Sequence, residues 1–280
     1  MGWGIADVCI AYIGRGQVVT WIHCTTAALF LFSLMPILKQ NFSLKAFWNS
    51  FPYGLLRALS WGLLFYAFQA DNPTVAITIS SFSIVLTVAV FGPLMGEKLT
   101  ARVVLLALVG VVGLILTSNQ SLNEFSFSKG VVAAFIALPI ASSGTYVLRH
   151  VQKKVPSDMT GLYMYTWVAI LFTPVMFFIS PRFEFTNFDI FVIIVLMVTG
   201  AGGHLLFGIS QEHTTLRANA ILGIIHIPMT AIMSWIFLSK GLHIHQMVGM
   251  AIVITVVTYF SITSHQRDVE EVLESQTPEV

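Results

Sequence analysis

Leu63-Leu64-Phe65-x-x-x-Gln69 is repeated as Leu205-Leu206-Phe207-x-x-x-Gln211, and Ala76 and Ile79 return as Ala218 and Ile221. All of these identities share one offset, the step from Leu63 to Leu205, which is close to half of the 280-residue chain. The sequence between and around them is apolar almost throughout. Two similar apolar halves predict a membrane protein whose ligand lies between its repeats.

Composition supports that reading. Hydrophobic residues make up 56% of the chain, charged residues 10%, and the mean hydropathy is +0.83. A soluble domain carries roughly 25% charged residues. The net charge of +1 offers no basic patch for nucleic acid. Cys9 and Cys24 lie in apolar segments and read as small hydrophobes rather than as a disulfide or metal pair.

Ten apolar segments can be marked, at 2–14, 18–38, 49–69, 73–95, 100–118, 129–150, 160–180, 188–210, 215–238 and 244–264. All but the first have the length of ~20 residues that crosses a bilayer. The first would rise only about 20 Å as a helix, so it is expected to be short or to lack its start. It lacks the basic beginning of a cleaved leader. The expected fold is therefore all-α and integral to the membrane, with ten transmembrane helices in two inverted five-helix repeats and a short first helix. The expected divisions are 1–120 for the first repeat, 121–128 for a Ser/Asn-rich linker, 129–264 for the second repeat and 265–280 for an acidic tail. Five spans per half is odd, so the second repeat enters upside down, which gives two faces that can exchange roles in alternating access.

Basic residues set the orientation. Lys39, Lys45, Lys98, Arg102, Arg149, Lys153, Lys154, Arg217 and Arg267 fall on one side, and only Arg15, Lys129, Arg182 and Lys240 on the other. The positive-inside bias puts both termini in the cytoplasm; the expected location is a bacterial inner (plasma) membrane, as an integral multi-pass protein.

Polar groups inside spans are costly and mark candidate sites. Trp3 and Asp7 share a face of the first span. Arg57, Trp61 and Phe65 line up at steps of four in the third, with Tyr66 and Gln69 adjacent. Arg57 either snorkels to the headgroups or contacts a ligand. Trp61 either packs in the core or lines a cavity. Ser80, Ser83 and Thr87 form a stripe in the fourth span, and Ser142, Tyr146 and Arg149 another in the sixth. His204, Gly208 and Gln211 share a face of the eighth, and Asn219, Gly223, His226, Thr230 and Ser234 a face of the ninth. The candidate ligand-binding residues are thus Trp3, Asp7, Arg57, Trp61, Tyr66, Gln69, Ser83, Tyr146, His204, Gln211 and His226. Asp7, His204 and His226 are the candidates for carrying protons. His243-x-His245 has no acidic or Cys neighbour and makes a poor zinc site. A phosphate-binding Gly-x-x-x-x-Gly-Lys-Ser/Thr loop does not occur. No catalytic, metal or cofactor residue is expected.

Several short motifs resemble the drug/metabolite transporter superfamily in its EamA-type branch. Leu56-Arg57-Ala58 resembles its Leu-Arg-Gly, Phe65-Tyr66-Ala67-Phe68 its Phe-Tyr-Ala-Leu, and Gly96-Glu97-Lys98-Leu99-Thr100 its Gly-Glu-Arg-Leu-Thr turn. Gly203-His204-Leu205-Leu206 and Gly249-Met250-Ala251-Ile252-Val253-Ile254 resemble elements of its second half. The resemblance implies ten helices, a central cavity and ATP-independent transport of small metabolites or drugs. It departs at Ala11, where the family commonly has Lys, near Ile22-His23, where it commonly has Arg, and at Lys240-Gly241, where a Gly-Glu turn is common.

The expectation is a secondary transporter of a small amphipathic metabolite, such as an amino acid, S-adenosylmethionine or a nucleoside-like solute. Its partners would be that solute, the bilayer and coupling protons, with no nucleic acid, and the protein would be a monomer or homodimer. The alternative is a membrane scaffold or receptor that kept the fold and lost transport. The copies also differ informatively: Gly62 becomes His204, Ile84 becomes His226 and Asp71 becomes His213.

Overall fold

The computed structural model describes residues 16–70, 82–96, 99–117, 129–179, 185–215 and 244–259, with single positions between 218 and 236. The described residues are helical and contain no strand. The helices are α1 (Gly16–Leu38), α2 (Leu44–Asn49), α3 (Phe51–Ala70), α4 (Ser83–Leu86, running through Thr87–Phe91 into Gly92–Leu94), α5 (Ala101–Thr117), α6 (Lys129–Gln152), α7 (Ser157–Ile179), α8 (Asn187–His213) and α9 (Ile244–Tyr259). Among the described residues, four stretches are long and apolar enough to cross a membrane: Val18–Leu38, Lys129–Gln152, Ser157–Phe178 and Asn187–His213. The expected first span, 2–14, lies outside the described residues, as does most of the ninth.

The surface identifies the solvent. Along α8, Ile190, Ile194, Val198 and Leu206 are exposed, while Val192, Leu196, Ala201 and Gly208 are buried. Leu29, Phe32 and Ile37 of α1 and Phe177 and Phe178 of α7 are also exposed. Helices that are apolar on the outside as well as the inside do not belong in water. This is a multi-pass helical membrane protein.

Local chemistry sets the helix ends. α1 stops where Lys39 turns into the left-handed region (φ 53°) and Gln40 N–H donates to the Met35 carbonyl at 3.1 Å. That closure satisfies carbonyls the helix leaves free. The Ser43 hydroxyl caps α2 by accepting from Ala46 N–H at 3.3 Å. α8 opens with a capping box, in which Thr186 N–H donates to the Asp189 carboxylate at 2.8 Å and Asp189 N–H to the Thr186 hydroxyl at 3.2 Å.

α4 differs from the uniform span expected over 73–95. Thr87–Phe91 is a π-helical turn, in which Gly92 N–H donates to the Thr87 carbonyl. Pro93 follows directly. A proline removes one helical donor and crowds the carbonyl four residues back, and the wider turn accommodates both effects.

The packing order places the site. α1 packs on α7, α1 also packs on α8, and α7 on α3; α3 lies along α6. α2 and α3 are fastened to α7 by Trp167, whose ring stacks on Phe47 at 4.3 Å and whose indole N–H donates to the Phe47 carbonyl at 2.8 Å. Gly54 permits this joint, because a Cβ there would lie 2.4 Å from Trp167 Cβ.

Candidate functional site

α1, α3, α7 and α8 bring their polar and aromatic side chains to one cluster. Tyr165 of α7 is at its middle. Its ring meets His23 of α1 edge to face at 5.2 Å, His204 of α8 edge to face at 5.2 Å, and Trp61 of α3 at 6.0 Å. Trp61 and His204 also meet, at 5.5 Å. Tyr165 is fully buried, and its hydroxyl has no hydrogen-bond partner among the described residues. His23 is buried against Gly200, where a Cβ would come within 2.3 Å of its ring.

Arg57 stands one turn before Trp61. It is half-buried, and its Nε donates to the Tyr53 hydroxyl at 3.2 Å while the guanidinium lies 5.3 Å from the Tyr53 ring centre. Gly144 of α6 is beside it: a Cβ there would lie 3.7 Å from Arg57 Nε. Its contacts come from α3 and α6, and Trp61, one turn on, meets Tyr165 of α7 and His204 of α8.

The structure divides the sequence candidates. Arg57, Trp61 and His204 come together. Gln211 and Tyr146 lie apart from them, toward the ends of α8 and α6. There Arg149 Nε donates to Gln211 Oε1 at 3.1 Å, Arg149 also donates to the Thr214 carbonyl, and Gln152 Nε2 donates to the Gly208 carbonyl at 2.7 Å. Tyr146 packs on Phe91 and His150 at 5.6 and 4.5 Å. The Ser83 carbonyl accepts from the Ser142 hydroxyl at 3.1 Å, which ties α4 to α6. Tyr66 is exposed. Trp3, Asp7 and His226 lie outside the described residues, as does the side chain of Gln69.

Three members of the central cluster, His23, Tyr53 and Tyr165, were not among the sequence candidates. Two signals point to them. Tyr53 continues the Arg57–Trp61 stripe one turn earlier, and the step from His23 to Tyr165 equals the interval of the repeat, Leu63 to Leu205.

Residues 1–119 match the EamA-like transporter family. This EamA-like stretch runs from before α1 to the end of α5 and carries His23, Tyr53, Arg57 and Trp61. Among solved structures, one titled "Crystal structure of protein" covers 95% of this chain and 96% of its own, with 14% identity and a TM-score of 0.79. At that identity the likeness is one of fold. No curated protein matches the chain.

Proposed function

We propose that this protein is a secondary transporter that moves a small amphipathic metabolite by alternating access, without ATP. The observation that carries the proposal is the EamA-like match of the half that supplies Arg57 and Trp61 to a cluster completed by Tyr165 and His204 from the other half. The solute class is an amino acid, S-adenosylmethionine or a nucleoside-like molecule. Besides the three clustered candidates, Trp3, Asp7, Tyr66, Gln69, Ser83, Tyr146, Gln211 and His226 are proposed to line the path, with Asp7, His204 and His226 handling coupling protons.

The proposal includes ten helices in two inverted repeats, 1–120 and 129–264, joined by 121–128 and followed by a tail at 265–280. Both termini would face the cytoplasm of a bacterial inner membrane. Packing supports a two-fold relation between the halves. Shifted by the repeat interval, α1 falls on α7 and α3 on α8, so the α1–α8 contact is the counterpart of the α7–α3 contact. A binding site between such halves can open to either side as they rock.

The test is ligand-induced thermal stabilisation of the detergent-solubilised full chain across a broad metabolite panel. A ligand that binds the folded state raises its melting temperature by mass action. The proposal expects at least one solute to do so, with the effect lost in Trp61→Ala. A panel without a single hit favours the scaffold or receptor alternative.

A further inference from the structure

Resting on the transporter reading above, one side chain narrows the solute class. A guanidinium carries five N–H donors and a permanent charge. Among the described residues Arg57 makes a single hydrogen bond, from Nε to the neutral Tyr53 hydroxyl, and forms no ion pair with a carboxylate. That bond fixes the plane of the fork and leaves both terminal nitrogens for something else. Among the described residues no carboxylate neutralises this cation, and a charge left uncompensated in an apolar bundle is costly, which favours an anionic ligand.

We propose that Arg57 receives the carboxylate of the transported solute, and that Trp61 receives the apolar or planar remainder. The planar fork matches a carboxylate with two parallel hydrogen bonds. Trp61, one turn along α3, meets the His204 ring at 5.5 Å and provides an adjoining aromatic wall. A lipid phosphate is the other oxyanion that could reach a guanidinium. The surroundings argue against it, since Gly144 of α6 sits beside the guanidinium, and Trp61, one turn on, packs against Tyr165 of α7 and His204 of α8. The proposal therefore selects amino-acid-like and other carboxylate solutes over nucleosides and simple amines.

The experiment uses the full-length protein in detergent and reads binding by calorimetry or thermal shift. The probes are L-amino acids and S-adenosylmethionine, the methyl esters and decarboxylated amines of the same amino acids, and nucleosides. Binding is expected from acids and not from their esters or amines. For the best acid, Arg57→Gln should weaken binding about tenfold or more, and Arg57→Lys by less, because it keeps the charge and loses the fork. The wild-type comparison of acid against ester stands even if a variant folds poorly. Equal binding of acid and ester, or binding by nucleosides that is indifferent to Arg57→Gln, overturns the carboxylate assignment and leaves the transporter reading intact. If Arg57→Gln changes only the amount of co-purified anionic lipid, Arg57 is a lipid anchor and the assignment fails. If no probe binds, both fail.

Discussion

His23 and Tyr165 meet edge to face with ring centroids 5.2 Å apart, and they are separated in sequence by the same interval that separates the two Leu-Leu-Phe copies. Under two-fold symmetry a residue touches its own counterpart only at the axis. Under the proposed inversion, this contact therefore marks the axis and the midpoint of the site. The two positions hold different residues, so the site is asymmetric at its centre: an imidazole on one side and a phenol on the other.

Tyr165 gives the first prediction. Its buried hydroxyl has no partner among the described residues, so Tyr165→Phe removes an unsatisfied polar group. The variant is expected to match or exceed the wild type in stability, by about 1 kcal/mol. Tyr165→Ala leaves a void among His23, Trp61 and His204 and should cost about 3–5 kcal/mol. Thermal unfolding in detergent reads both. A large loss from Tyr165→Phe would mean that the hydroxyl has a partner after all.

Glycine positions separate close packing from open space. Gly54→Ala would place a methyl 2.4 Å from Trp167 Cβ and push α3 from α7, whereas Gly202→Ala meets nothing within 4 Å. The first should destabilise by about 1–3 kcal/mol. The second should be neutral or gain up to about 1 kcal/mol of helix propensity. Melting temperatures of the two alanine variants are the check, and equal values would contradict the packing described.

The Arg149 cluster joins the ends of α6 and α8. A double-mutant cycle of Arg149→Gln and Gln211→Leu should give a coupling of about 1–3 kcal/mol, the range for a hydrogen bond from a charged donor. Additive effects would show that the bond between Arg149 Nε and Gln211 Oε1, 3.1 Å long here, contributes nothing to stability.

His204 is the proton-coupling candidate that the described residues contain. Its ring meets Trp61 of α3, Tyr165 of α7 and Phe207 of its own helix. If it carries a proton during transport, His204→Gln flattens the pH dependence of uptake while Tyr146→Phe leaves it unchanged. An unaltered pH profile in His204→Gln removes His204 from that role.

Much of the fold could be read locally. The segment expected at 18–38 is the span Val18–Leu38, and those expected at 129–150 and 188–210 are Lys129–Gln152 and Asn187–His213. Length and apolarity are properties of a short window, which is why the agreement is close. Facing is a different property. α1 and α7 are apolar on every side, so no stripe distinguishes His23 or Tyr165 from a lipid-facing neighbour. Only the packing of α1 on α7 and α8 turns them inward. Arg57 could be found because a charge in an apolar helix stands out, and His204 because it replaces Gly62 of the first copy and shares a face with Gly208 and Gln211. Gln211 shared their periodicity but pairs with Arg149 near the helix ends, and a helical stripe alone does not say how far along the axis a ligand reaches. The π turn at Thr87–Phe91 depends on how the chain relaxes ahead of Pro93 and has no signature in hydropathy.

The most direct test of transport is solute counterflow in sealed liposomes containing the purified full-length protein and no ATP. Vesicles preloaded with an unlabelled solute that stabilises the protein should accumulate the labelled solute transiently above its outside concentration, and Trp61→Ala should abolish the overshoot. Binding without any counterflow in the wild type would contradict the transporter account.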